Sequence, residues 1–168
     1  ITCPNLRRAL LRSARFYALV QDEFAVDLVE SGDEAELHIA HRNVRGLDDR
    51  AFIESLMIIW LRWSSWLIER EVLPDRILFA FTPGAYREEY ARMFPCDHYF
   101  AARENCVVFP ARYLDHPVTR DSAELAQPVG PLLRGDAVAY AGAETGLQAL
   151  VEVVEQGVGV VGAQVATD

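Results

Sequence analysis

Residues 47–70 read L-D-D-R-A-F-I-E-S-L-M-I-I-W-L-R-W-S-S-W-L-I-E-R, residues 77–81 read I-L-F-A-F, residues 82–100 read T-P-G-A-Y-R-E-E-Y-A-R-M-F-P-C-D-H-Y-F, and residues 105–117 read N-C-V-V-F-P-A-R-Y-L-D-H-P. The fold is decided here. In the first segment Phe52, Ile53, Leu56, Ile59, Trp60, Trp63 and Leu67 recur at helical spacing, which predicts a long helix over 48–71. Asp48 is placed to cap it, and Asp49 suits the positive end of its dipole. Leu47 and Phe52 occupy the staple positions on either side of that cap. Ile58, Leu61 and Ile68 fall on the other side, where polar residues are expected. A helix that is apolar nearly all round is covered on two sides, by another layer or by another subunit. These three residues are therefore the candidate dimer interface.

The five apolar residues at 77–81 predict a central strand covered on both faces. Thr82 as cap and Pro83 at the first helical position predict a short helix whose apolar face holds Tyr86, Tyr90, Met93 and Phe94, stopped by Pro95. Residues 98–101 and 106–109 read as two strands around a turn at Arg103, Glu104 and Asn105.

Working outward, Asn5 can cap a helix over 6–20, with Leu6, Leu10, Ala14 and Tyr17 at helical spacing. Phe24, Val26 and Leu28 alternate as in a half-buried strand, and so do Leu37 and Ile39. The Ser31-Gly32-Asp33 turn between them makes a hairpin. The elements predict an α+β domain, a mainly antiparallel sheet of about five strands packed by one long and two shorter helices.

Composition narrows the class. The 168 residues suit one domain, or one domain with an appendage. A net charge of −9 argues against a free-standing nucleic-acid-binding module. Arg7, Arg8, Arg12 and Arg15 read as a solvated or acid-pairing surface rather than a DNA contact. All 16 basic residues are arginine, the bias of a GC-rich, bacterial genome. Cys3, Cys96 and Cys106 are too few and too scattered for a disulfide framework, so a reduced, cytoplasmic compartment is expected. The sequence has no apolar run long enough to span a membrane. It opens in mid-phrase at Ile1, as a piece of a longer protein would. After Gln127 the composition shifts: seven of the ten glycines and only Arg134 among the arginines lie in 128–168. This divides the chain into a domain over 1–127 and a Gly/Val-rich tail over 128–168.

The chemistry-bearing residues make no catalytic or metal set. His38 and His41 are three apart on a strand and point to opposite faces. Cys96, His98 and Cys106 match no standard zinc spacing. Gly157, Gly159 and Gly162 spell a dinucleotide-binding pattern, but no acidic partner follows before Asp168. The reading is of a protein that is not an enzyme, with no cofactor and no metal. Trp60, Trp63 and Trp66 at helical spacing read first as core. The sharper reading lets Trp60 and Trp63 line a small-molecule pocket. Tyr86, Tyr90, His98 and Arg103 would then supply its polar contacts.

Several of these stretches carry a family resemblance. They are L-L-R-S-A-R-F-Y-A-L-V at 10–20, G-D-E-A-E-L at 32–37 and D-D-R-A-F-I-E-S-L at 48–56. With them go Pro83, Tyr90 and Phe94, then Phe100, Asn105, Val108, Phe109, Leu114 and Pro117. From about residue 10 to 125 the chain resembles the N-terminal effector-binding domain of one branch of AraC-type bacterial transcriptional regulators. The resemblance implies a sensing and dimerising domain that takes an unnamed small-molecule effector, forms a homodimer and reaches DNA only through a C-terminal domain absent here. No basic helix-turn-helix pair follows Pro128, where the family's plan would place it. The alternative is a dimerisation domain that binds no ligand.

Overall fold

A computed structural model describes residues 3–20, 24–41, 49–84 and 87–120; Asp48, Tyr86 and the 128–168 tail lie outside them. The helices are α1 (Leu6–Val20), α2 (Asp49–Leu67) and α3 (Tyr90–Met93). The strands are β1 (Phe24–Ser31), β2 (Glu34–His41), β3 (Arg76–Leu78), β4 (Asp97–Tyr99) and β5 (Asn105–Pro110). They form one sheet in the order β1-β2-β5-β3-β4. Three of the four pairings are antiparallel, and β3 with β4 is parallel. The class is α+β with a mainly antiparallel sheet, as the sequence predicts.

Local chemistry accounts for the first half. Asn5 Oδ1 accepts the Arg8 amide at 3.1 Å and so caps α1 as expected. β1 and β2 join through a tight turn in which Gly32 takes φ 60°, the position that a type II′ hairpin turn gives to glycine. Phe24, Val26, Ala35, Leu37 and Ile39 are buried on one face of this hairpin. α1 packs on β1 and α2 on β2, so both helices cover that inner face. Val107 and Phe109 of β5, then Ile77 and Phe79, continue the same buried face. All seven residues of the predicted main face of α2, from Phe52 to Leu67, are buried.

Four local expectations are corrected. Strands β4 and β5 do not pair with each other, because β3 lies between them. The 103–105 segment is thus a connection across β3, and β3–α3–β4 is a parallel crossover. Second, β3 is central in the sheet but is not covered equally on both faces. Ile77 and Phe79 are fully buried, whereas Leu78 is half-buried and Ala80 exposed. A continuous apolar run cannot show that one of its faces is only partly covered.

Third, α2 stops four residues early. Glu69 adopts φ 49°, the Arg70 amide donates to the Ser65 carbonyl (3.1 Å), and the Glu69 amide donates to the Trp66 carbonyl (3.4 Å). This is the Schellman arrangement, with glutamate where glycine is usual. The chain after β5 completes the cap: the Thr119 amide donates to the Leu67 carbonyl (2.9 Å) and Arg120 Nε to the Trp66 carbonyl (3.0 Å). The Arg120 charge also suits the negative helix end.

Fourth, no helix begins at Pro83. Thr82, Pro83 and Gly84 are irregular, and the next described residues, Arg87–Glu89, form a 3-10 turn. A Cβ on Gly84 would come within 2.5 Å of the Arg50 guanidinium, the free end of a long side chain that can move aside.

The outer face carries the alternate residues. Arg76 of β3 forks onto the Glu34 carboxylate of β2 (2.6 and 2.7 Å) across Val108 of β5. The paired guanidinium holds the Glu34 carboxyl below its ordinary range.

Candidate functional site

The short helix α3 lies over the inner side of β3 and β4, where it brings two of the predicted ligand residues together. Tyr90 is buried, with its ring 5.1 Å from Phe79, 5.0 Å from Phe100 and 6.2 Å from His98. Its hydroxyl donates to the Glu54 carboxylate of α2. His98 faces inward on β4 beside Ile77, and its Nε2 donates to the Phe94 carbonyl at 2.8 Å. Phe79 and Phe100 stack at 5.1 Å. Two cations border this cluster: Arg50 lies 5.2 Å from the Phe81 centroid and Arg87 5.8 Å from that of Phe100. The result is an aromatic cluster with one carboxylate and two guanidiniums at its margin.

Trp60 and Trp63 form a different group on the α1 side. Their rings meet edge-on at 5.4 Å, and Trp60 also meets Tyr17 at 5.9 Å. Burial pushes the Tyr17 phenol up from its ordinary value. Trp63 is 6% exposed, and its Nε1 has no acceptor among the described residues. A buried N–H without an acceptor costs about 1–3 kcal/mol. Arg103 is exposed between β4 and β5, away from the buried rings, and Tyr86 lies outside the described residues.

The three candidate interface residues separate. Ile58 and Leu61 are half-buried and line a groove of about 180 Å³ with Val72, Leu73, Met93 and Phe94. Ile68 is 6% exposed and packs in the core, because the chain turns inward once α2 has ended. Leu73 on the groove is 46% exposed.

Other sequence readings can be placed too. His38 points outward, whereas His41 turns inward against Phe52 at 4.8 Å, so the two do not converge. Likewise His98 faces inward and Cys106 outward. Burial, then nearby carboxylates, pushes the Cys96 thiol up to about 11 and the Cys106 thiol up to about 12. Both stay protonated near neutral pH, the reverse of what a thiol nucleophile needs. Arg7 pairs with Glu30 (2.8 Å) and with Asp115, as expected of an acid-pairing surface.

The comparisons agree with this architecture. Residues 1–118 match the family described as the arabinose-binding domain of AraC transcription regulators, N-terminal. The chain belongs to that family. The arabinose-binding domain family is a regulatory one rather than a class of enzymes. No curated protein matches the chain by sequence. Among solved structures, the transcriptional regulator CdpR from Pseudomonas aeruginosa shares the fold, with a TM-score of 0.51 and 14% identity over 84% of this chain. The chain spans 46% of that regulator, less than half its length, and at this identity the likeness is one of fold alone.

Family membership gives the resemblance residues their meaning. Tyr90, Phe94, Phe109 and Leu114 are buried in the arabinose-binding-type core. Asn105 Oδ1 accepts the Ala80 amide at 2.8 Å and so ties β5 to the end of β3. Pro117 bridges to Asn5 at the start of α1. These are residues that build the domain. Of the residues around Tyr90, Phe100 entered only through the family resemblance, and Glu54, Phe79, Arg50 and Arg87 were not singled out from the sequence. Glu54 and Tyr90 are 36 residues apart, and no periodicity connects them. Among the described residues, no helix is long and apolar enough to cross a membrane.

Proposed function

We propose that this chain is the sensing and dimerisation domain of an AraC-type transcriptional regulator, with residues 1–127 as the sensing unit and 128–168 as a separate tail. It takes a small-molecule effector against the inner layer of the sheet. The homodimer passes the signal to a helix-turn-helix DNA-binding domain outside this chain, in the cytoplasm. The observation that carries this reading is the family match across residues 1–118. The aromatic surroundings of Tyr90 and His98 and the buried Trp63 Nε1 are in keeping with it, as apolar walls with a few polar groups. Trp60, Trp63, Tyr86, Tyr90, His98 and Arg103 remain the proposed contacts.

A thermal-shift screen of sugars, including arabinose, and of aromatic and acidic metabolites tests it. A ligand at about 100 times its Kd adds about 2.7 kcal/mol, which raises Tm by roughly 5–10 °C for a chain of this size. Tyr90→Phe should weaken that shift with the fold intact. A folded protein that no member of the panel shifts would speak against effector binding.

The second reading, a dimerisation domain without a ligand, is favoured by the half-buried Ile58 and Leu61 beside exposed Leu73. Ile58→Glu with Leu61→Glu should halve the mass found by light scattering if this face pairs two copies. An unchanged mass rejects that face as the interface. Ile68, packed in the core, would act beneath the interface rather than on it.

A further inference from the structure

The outer face of the sheet holds a group of side chains that the effector reading leaves unused. Glu36 and His38 lie two apart on β2, so they share a face. Cys106 is the direct cross-strand partner of His38 on β5. One ligand atom from each of Glu36, His38 and Cys106 lies within 4.8 Å of the other two. His38 Nε2 and Glu36 Oε2 are 3.0 Å apart. On the other side of the ring, His38 Nδ1 lies 3.3 Å from the carboxylate of Glu104. Glu104 stands in the bend just before β5, two residues from Cys106. Cys106 is buried, while His38 and Glu36 side chains are 22% and 28% exposed, which leaves a way in from solvent.

We propose that Glu36, His38 and Cys106 form a binding site for a zinc-class divalent cation, with Glu104 as the carboxylate that orients His38.

The ligand types are those of zinc: one sulfur, one imidazole nitrogen and one carboxylate oxygen. Magnesium and calcium would want oxygen throughout. A tetrahedral zinc with bonds of about 2.0–2.3 Å holds its ligand atoms roughly 3.3–3.8 Å apart. The His38–Glu36 distance of 3.0 Å and the 4.8 Å limit that contains all three ligand atoms bracket that range, so small side-chain rotations suffice to close the site. His38 is set up for it. Nε2 lies against Glu36 on the site, and Nδ1 lies 3.3 Å from the Glu104 carboxylate without yet bonding it, one small rotation from the pairing that orients most metal-bound histidines.

Charge balance points the same way. On binding, the thiol releases its proton to solvent and the thiolate forms the S–metal bond, while the His38 ring proton moves from Nε2 to Nδ1, facing Glu104, and frees the Nε2 lone pair for the metal. One thiolate and one carboxylate then neutralise a 2+ ion. The other charged groups nearby are Asp27 of β1, opposite His38, and Arg76 of β3. Three protein ligands leave a fourth position for water or an exchangeable ligand. The site faces away from the Tyr90 cluster and does not rest on the effector reading.

The test uses the whole chain with Cys3→Ser and Cys96→Ser, so that Cys106 is the only thiol. After chelator treatment it is titrated with Co2+ and then with Zn2+. The expected result is one equivalent of bound metal, a thiolate-to-cobalt charge-transfer band, and its loss when zinc displaces cobalt. Cys106→Ala should abolish the band. His38→Gln and Glu36→Gln, on partly exposed side chains, should each weaken zinc at least tenfold by indicator competition. Glu104→Gln should weaken it by about 10- to 100-fold while keeping the band. Circular dichroism checks each fold, and the His38 and Glu36 variants carry the test should Cys106→Ala not fold. Absence of the band in the parent chain, or zinc affinity unchanged in both His38→Gln and Glu36→Gln, overturns the proposal.

Discussion

Glu69 holds the left-handed position that ends α2, at φ 49°, and its side chain pairs with Arg120 at 3.0 Å. Glu69→Gly and Glu69→Ala both remove that pair, so the contrast between them isolates the backbone. A side chain in this conformation costs about 1–2 kcal/mol, because Cβ crowds the following carbonyl. Glycine avoids that cost but loses about 0.5–1 kcal/mol more backbone entropy on folding than alanine does. The net is roughly 0.5–1 kcal/mol in favour of glycine. Had the helix continued over 68–71 as its apolar spacing predicts, alanine would win by about 1 kcal/mol instead. The two accounts therefore differ in sign. For a chain of this size the contrast is about 1–4 °C in Tm, and urea denaturation should show it as a midpoint change at constant slope. Glu69→Ala equal to or more stable than Glu69→Gly would refute the Schellman ending and restore the longer helix.

Further outcomes follow from the core, the thiols and the outer face. Phe79 is fully buried against Tyr90, Phe94 and Phe100, so Phe79→Ala should cost about 3–5 kcal/mol by denaturant unfolding. With chelator present at pH 8, Cys96 should react with a disulfide reagent at least about a hundredfold more slowly than a free cysteine, given a thiol pushed up to about 11 against an ordinary value of about 8.5. Cys106, pushed up to about 12 and buried, should be slower still until the protein is unfolded. Glu34 has its carboxyl depressed by Arg76, so its contribution is present above its unfolded pKa and is lost as pH falls through the folded value. The stability gap between the parent and Glu34→Gln should therefore be largest near neutral pH, shrink as the carboxyl protonates, and narrow with added salt.

Much of the candidate site was beyond the reach of sequence reading. Tyr90 and His98 were recognisable as a tyrosine and a histidine flanking an apolar stretch. That they meet depends on β4 running parallel to β3, with α3 crossing between them. Reading 98–109 as a hairpin placed His98 beside Cys106. The actual strand order puts β3 between them and turns the two side chains to opposite faces. The Glu36, His38 and Cys106 grouping was hidden for the same reason, since Cys106 meets His38 only through the β2–β5 pairing.

Periodicity by itself determined the inward faces of α1, the β1–β2 hairpin and α2. α1, the β1–β2 hairpin and the main face of α2 follow from spacing and from turn and cap residues, which act over a few neighbouring positions. The family resemblance followed from residues that build the core and so recur in fixed order. Tertiary structure alone decided the strand order, the half-covered outer face of β3, and the end of α2. Each depends on partners far along the chain: β5 inserting between β2 and β3, or Thr119 and Arg120 capping carbonyls some 50 residues earlier. Local spacing carries no record of which distant segment satisfies a strand edge or a helix end.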